Sequence, residues 1–254
     1  MRIALCLSGK AGNANKYAQG EETMDLAKIG HRHFKENLLD LNNADVFMHC
    51  WDKQFKDELI EMYNPKGYIF QEQVDFGSQY NLRQFCIKSK AYSNMRVLEV
   101  LEKYEKKYNF KYDAVILTRF DLALQRPVDL KNESLELSNF YHNGPDPLHI
   151  ESPENCVKVC CDPKSPHYAI GDLILISNSD NMKKFSNLYH YIDSYNINSF
   201  HVSARIHIDK LDFNRSTFLF CNKSNFAGYR GIEDGDVPLV RWAYDVGSSI
   251  NENT

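Results

Sequence analysis

The sequence predicts an α/β fold with a mostly parallel central sheet, helices on both faces and a mixed, loop-rich second half. Three observations predict it. Short, almost wholly apolar runs such as 3–7 and 114–117 read as strands buried on both faces. Segments with helical spacing alternate with such strands through the first 120 residues, and that order implies parallel pairing with crossover helices. After residue 138 the period is lost: 138–169 hold five of the eight prolines, and a long loop region in a compact domain is more often functional than idle. No linker-like composition or internal repeat divides the chain, so 1–254 reads as one domain.

Taken in order, residues 2–8 (Arg-Ile-Ala-Leu-Cys-Leu-Ser) are the first strand, ending at Ser8-Gly9. Residues 23–41 place Ala27, Phe34, Leu38 and Leu41 at three- and four-residue steps, with Gly30 in the same row, which makes a helix face. Residues 45–50 form a second strand, 53–62 a charged helix and 67–73 a third strand. A long helix is predicted over 84–108, where Met95, Leu98, Leu101, Tyr104 and Tyr108 keep helical spacing and Glu99 can pair with Lys103. Residues 112–118 are the clearest buried strand. Residues 173–177 return to strand, and 178–195 read as a helix started by Ser and Asp side chains. A helix near 200–210 and an aromatic strand over 216–221 follow, and the Gly- and Asp-rich tail beyond Phe226 reads as irregular.

Composition narrows the function classes. The chain is 43% hydrophobic and 13% aromatic, which supports a large core and argues against disorder. Its net charge of -4 argues against binding to duplex nucleic acid or an anionic membrane surface, both of which rely on excess positive charge. No stretch approaches the ~18 to 20 apolar residues of a membrane span, and 3–7 is too short for a signal-peptide core. The mature chain is therefore expected to start at Met1 in a cytoplasmic compartment. Seven scattered cysteines then read as reduced thiols, and the sequons at Asn132, Asn214 and Asn222 as unmodified. Only Cys156, Cys160 and Cys161 cluster, and a zinc site there would need His149 or His167 to complete it.

Ligands of parallel sheets sit beyond the carboxyl ends of the strands. Ser8-Gly9-Lys10, His49 to Asp52 and Thr118-Arg119-Phe120-Asp121 are therefore expected to converge on one edge. Ser8-Gly9-Lys10 is not a Walker loop, since Ala11 replaces the required Ser or Thr, and the chain has no G-x-G-x-x-G. Gly9 is either a plain turn or a point of close backbone approach to a ligand. Arg119 and Asp121 are either a surface ion pair or the holders of a phosphate and a divalent cation. Asp172, directly before the 173–177 strand, is either a turn carboxylate or a general base for an acceptor hydroxyl. His201 and His207 lie six apart and cannot stack as an i, i+4 ligand pair, so each reads as a structural histidine with at most a single metal role. Trp51, Tyr92 and Phe120 could stack on a base or sugar, although with 15 Tyr and 15 Phe most aromatics must be core.

Several runs resemble one family in the same order: Ile-Ala-Leu-Cys-Leu-Ser-Gly at the start, Asp-Val-Phe-Met-His-Cys-Trp-Asp at 45–52 and Ser-Lys-Ala-Tyr-Ser-Asn-Met at 89–95. Tyr-Asp-Ala-Val-Ile-Leu-Thr-Arg-Phe-Asp-Leu at 112–122 and Gly-Asp-Leu-Ile-Leu-Ile-Ser-Asn-Ser at 171–179 continue the series. It resembles small GT-A-type glycosyltransferases of capsular polysaccharide and the capsid-glycan enzymes of large algal viruses, over most of residues 1–210. The resemblance implies a nucleotide-sugar donor, usually a UDP-sugar carrying a hexose or a pentose such as xylose, bound by 1–122. It also implies a glycan acceptor on 123–254 and a divalent cation, Mn2+ or Mg2+, held by an Asp-x-Asp-like motif. It places Ser8 and Gly9 at the donor's nucleoside, His49 and Trp51 beside the base, and Lys90 at the diphosphate, with Lys10 and Arg119 also among the donor-binding residues. Asp121 would meet the metal, with His207 as a second ligand. Arg119 stands where the motif's first Asp would be, so one carboxylate replaces two.

The implied chemistry displaces a diphosphate from an anomeric carbon. Arg119, Lys90 and a cation would stabilise the leaving oxygen; if Asp172 takes the acceptor proton from the opposite face the configuration inverts, whereas a retaining outcome would not need Asp172 there. Two other readings stay open. A nucleotidyltransferase would use the same sheet to release pyrophosphate, and a non-catalytic nucleotide- or carbohydrate-binding protein would need no base.

Overall fold

The computed structural model describes residues 1–12, 23–142, 170–195 and 199–217. Within them the chain is an α/β protein built on a seven-stranded mixed sheet. Strand β1 (Ile3–Gly9) leads into helix α1 (Asp25–Phe34), a π-helical stretch (Lys35–Leu39) and a short α2 (Asp40–Asn42), which together form one continuous helical arm. β2 (Asp45–Cys50), a 3-10 turn (Lys53–Phe55), α3 (Lys56–Tyr63) and β3 (Gly67–Phe70) follow. The long α4 (Leu82–Tyr108) carries the chain to β4 (Ala114–Thr118). β5 (Phe140–His142), β6 (Ile174–Ser177), α5 (Ser179–Ser186), α6 (Leu188–Tyr191), a 3-10 turn (Ile192–Tyr195), α7 (Phe200–Lys210) and β7 (Arg215–Thr217) complete the described elements.

The strand order is β3-β2-β1-β4-β6-β5-β7. The first four strands are mutually parallel, with Ser8 opposite His49 and Leu7 opposite Thr118. β6 runs antiparallel to β4 and β5, and β5 is parallel to β7. The mixed character expected of the second half thus enters at β6. Because β6 is reversed, its first residues lie at the same edge as the ends of β1, β2 and β4.

Strand alternation divides the core. Ile3, Leu5, Leu7, Val46, Met48, Ala114 and Ile116 face α1 and α3, meeting Ala27, Phe34, Leu38, Leu59 and Tyr63. Ala4, Cys6, Phe47, Val115, Leu117 and Leu175 face the other layer, where α4, α5 and α7 contribute Val97, Leu98, Leu101, Phe185 and Ile208. Cys6 and Cys50 are buried free thiols, and burial pushes Cys50 up to about 12, which leaves it inert near neutral pH.

Local chemistry sets the element ends. α2, α3 and α4 each terminate at an Asn in the left-handed region: Asn43, Asn64 and Asn109. α4 starts with a capping box, the Asn81 side chain accepting from the Gln84 backbone N–H while Gln84 reaches back to the Asn81 N–H. The π-helical stretch leaves the Asn37 carbonyl to accept from Val128 N at 2.8 Å, and the Asn37 side chain donates to Leu124 O at 2.7 Å. Asn42, buried, donates to Val128 O and accepts from Leu130 N. The chain after β4 is thereby tied to the helical arm.

Gly30 allows the closest of these approaches. A Cβ there would overlap the carbonyl oxygen of Phe120 and stand 3.0 Å from that of Leu122.

Three expectations change. The helix predicted over 178–195 is broken: Asn178, rather than Ser or Asp, caps α5, and the Ser186 hydroxyl bonds the Lys183 carbonyl where α5 ends. β5 sits at the head of the region expected to be loop, because three residues are too few to show a period. The third strand stops at Phe70, with only the Gln71 N–H still bonded to Cys50 O. The thiol cluster at 156–161, residues 143–169 generally, and the chain after Thr217 lie outside the described residues. Among the described residues no helix is long and apolar enough to cross a membrane.

Candidate functional site

The order of the parallel strands reverses between β1 and β4, since β1 leads outward to β2 and β3 while β4 returns to its other side. The crevice beyond the carboxyl ends of such a pair is where ligands of open α/β sheets bind. Ser8 and Gly9 end β1, and Thr118 and Arg119 end β4. Ser8 Oγ, buried, donates to Asn94 Oδ1 of α4 at 2.7 Å and lies 3.4 Å from Thr118 O, so it fastens the helix to the switch point. Gly9 has φ +112, a Cβ there would meet no atom of the described residues beyond its chain neighbours, and its carbonyl accepts from Trp51 N at 3.1 Å. Asp52 accepts from Ala11 N and Gly12 N, both at 2.8 Å, and holds the loop after β1 against the end of β2. Lys10, between them, is exposed.

His49 and Trp51, on β2 and just after it, face α4. His49 Nδ1 lies 2.6 Å from Ser93 Oγ, and its ring meets Trp51 edge-on at 4.6 Å. Trp51 stacks on the half-buried Tyr92 at 5.4 Å with the planes 22° apart. His49 is fully buried and Trp51 is 5% exposed, so neither residue expected beside a base approaches the surface, and only the stacked Tyr92 is half-buried. Burial, reinforced by the charge of Arg96, lowers His49 from an ordinary 6.5 to about 4. The folded ring therefore resists a proton that the unfolded chain accepts. Stability from this group is complete above pH 6.5, falls as pH drops through the interval, and stops falling below about pH 4. Urea unfolding is expected to lose about 2 kcal/mol between pH 7 and 5 on this account. His49→Gln should flatten that part of the profile, and an unchanged profile would remove His49 as its source.

Four charged residues of the expected site come together at the β4–β6 edge. Arg119 forms a two-bond fork with Asp121, Nε to Oδ1 at 2.7 Å and Nη2 to Oδ2 at 2.8 Å. Lys90 Nζ, one turn before Asn94 on α4, pairs with Asp172 Oδ2 and lies 4.7 Å from the centre of the Phe200 ring. Thr118 Oγ1 donates to Leu173 O at 2.7 Å and fixes the two segments to each other. The pairs also feel one another. Burial lowers Lys90 against the attraction of Asp172, with Arg119 lowering it further. Burial would likewise lower Arg119, but Asp121 and Asp172 raise it. Burial alone would raise Asp172; His201, Lys90 and Arg119 overturn that and hold it at about 2.

The expected residues Lys90, Arg119, Asp121 and Asp172 thus meet, and Ser8, Gly9, His49 and Trp51 line the adjoining strand ends. His207 does not join them. It is packed in α7 against Phe185 and Tyr191, with Nδ1 2.8 Å from Tyr195 OH and Nε2 3.4 Å from Lys184 O, so both ring nitrogens have protein partners. Its role is structural, the alternative reading for that residue. Among the described residues no three His, Cys, Asp or Glu side chains gather as a metal site, and both Asp121 oxygens receive Arg119. The described donors do not fit a divalent cation.

Ser93, Asn94 and His201 were not foreseen as site residues. Ser93 and Asn94 had a signal, since they are polar positions on the buried face of a helix whose later turns are apolar. His201 reaches the site from the first turn of α7, its Nδ1 3.4 Å from Asp172 Oδ1. No protein-family model matches the chain, and no curated protein matches it either.

Proposed function

We propose that this protein is a glycosyltransferase that moves a sugar from a UDP-sugar to a glycan hydroxyl, on a fold of the GT-A type. The observation that carries the reading is the meeting of Lys90 and Arg119 with Asp121 and Asp172 at the switch point of the sheet. A sugar diphosphate leaves with negative charge on its oxygen, and half-buried cations fixed beside that oxygen stabilise the transition state more than the ground state. The Arg119 fork suits a phosphate as well as it suits a carboxylate, and Lys90 supplies a point charge. Without donor, each cation is balanced by a carboxylate of the protein, so the cluster is neutral in sum and tolerates burial. A diphosphate competes for the same two cations. The half-buried Tyr92, stacked on the buried Trp51 at the end of β2, is the aromatic group left to meet the nucleoside end. The parallel half β3-β2-β1-β4 followed by a reversed β6 supports the GT-A placement. Because the described donors do not fit a metal, no step is routed through one.

The test is the thermal midpoint with UDP, GDP, UDP-glucose, UDP-xylose and GDP-mannose, each with and without manganese, followed by UDP release. A ligand at one hundred times its dissociation constant adds ~2.7 kcal/mol to the folded state. The expected result is a rise of roughly 5 to 10 °C with one UDP-sugar, independent of manganese, and slow release of UDP. A rise without release would make the protein a binding module. No rise with any nucleotide would end the donor-site reading.

A further inference from the structure

A lysine ammonium drawn out of water needs partners for its three hydrogens, or it gives one of them up. Two of the partners of Lys90 belong to Asp172, the carboxylate Oδ2 and the backbone carbonyl, the latter at 3.4 Å from Nζ. The remaining one is the ring of Phe200, whose centre lies 4.7 Å from Nζ. A cation over a ring face is attracted by the ring's quadrupole, more strongly the less water stands around it. The Lys90 side chain is 22% exposed and Phe200 only 4%, so the contact is largely dry.

The partners differ in how they answer an arriving anion. A diphosphate competes with the Asp172 carboxylate for the ammonium, whereas a ring face carries no net charge and repels neither. Phe200 can therefore keep hold of Lys90 while the ammonium exchanges one anion for another. Its position suits that part. It opens α7 directly after the Ser199 cap, whose hydroxyl accepts from Val202 N at 3.4 Å, and it belongs to the apolar layer that α4, α5 and α7 share. The other charges around Lys90 are Asp172 ahead of β6 and Arg119 with Asp121 after β4. His201 of α7 lies beyond, against Asp172 Oδ1, and on α4 itself Lys88 is paired with Asp193.

We propose that Phe200 is the positioning residue of Lys90, its ring keeping the ammonium charged and in place for the leaving diphosphate. The assignment rests on the glycosyltransferase reading of the same site. Burial and Arg119 work against the charged form of Lys90, and the ring adds to what Asp172 supplies against them.

The test replaces Phe200 in the full chain by phenylalanine carrying one, two or three ring fluorines, which drain the negative face of the ring with little change in its size. Two quantities are read across the series. The first is the titration of Lys90 without substrate, followed by its ε-carbon signal, which is identified by its loss in Lys90→Met. Because the ring favours the ammonium, each fluorine is expected to lower the titration midpoint, by roughly half a unit or more over the series. The second is kcat/KM for UDP release from UDP-glucose and UDP-xylose, expected to fall stepwise to about fivefold to tenfold below wild type, with the thermal midpoint held within about 2 °C. Phe200→Leu, apolar but without a ring face, should fall at least as far. A ring that only fills space would show no trend with fluorine count. A flat titration overturns the assignment, and so does a flat kcat/KM in a chain that releases UDP, with the glycosyltransferase reading left standing in both cases. No release by wild type from any donor overturns that reading and the positioning role together.

Discussion

Arg119→Ala is expected to slow UDP release from the preferred UDP-sugar by about 10²- to 10³-fold, the cost of removing one fixed donor from a developing oxyanion. The guanidinium is the group best matched to a diphosphate in this site, and the alanine leaves Asp121 buried with its fork partner gone. That loss destabilises the fold by about 3 kcal/mol, so the rate must be read at a temperature well below the variant's midpoint. Arg119→Lys separates the two effects. A lysine keeps a charge near Asp121 but cannot make two parallel bonds, so its fold should hold while kcat/KM falls about tenfold or more. Equal kcat/KM for wild type and Arg119→Lys would show that the fork serves Asp121 alone, and the leaving group would then depend on Lys90.

Gly30→Ala is expected to lower the thermal midpoint by roughly 5 to 10 °C, a loss of about 2 to 3 kcal/mol. The direction is the informative part. In an ordinary helix interior the same change stabilises by up to about 1 kcal/mol, because alanine loses less backbone entropy. Here the new methyl meets backbone carbonyls of Phe120 and Leu122, which cannot rotate away as a side-chain end would. Asp121 lies between those two carbonyls, so relief of the clash displaces the Arg119–Asp121 pair as well. Donor binding should weaken alongside stability. A midpoint equal to or above wild type would mean that α1 is free to move off the strand-end loop.

The architecture up to β4 was legible because each element carries its own period. The runs at 3–7 and 114–117 are apolar on both faces, and the later turns of α4 keep their apolar residues at helical spacing from Met95 to Tyr108. Pairing direction followed from the crossover rule. The second half was less legible: β5 and β7 are three residues each, and β6 looks the same in sequence whether parallel or reversed. For the site, strand ends located Ser8, His49, Arg119 and Asp121, and placement before a strand located Asp172. His201 escaped because what places it at the site faces its Nδ1, a carbonyl and a carboxylate some thirty residues away in sequence. His207 misled for the same reason, since its letter does not show that both ring nitrogens are taken within the protein.

The central place of β1 has a consequence for synthesis. Its two neighbours are β2, completed at Cys50, and β4, completed only at Thr118. At about 5 to 20 residues per second, β1 waits roughly 6 to 23 s before the last of the residues that cover its second edge is made. During that interval an apolar strand with an open edge is available to other nascent chains. The crowded polysome, more than the finished protein, is where this sequence is most exposed to aggregation.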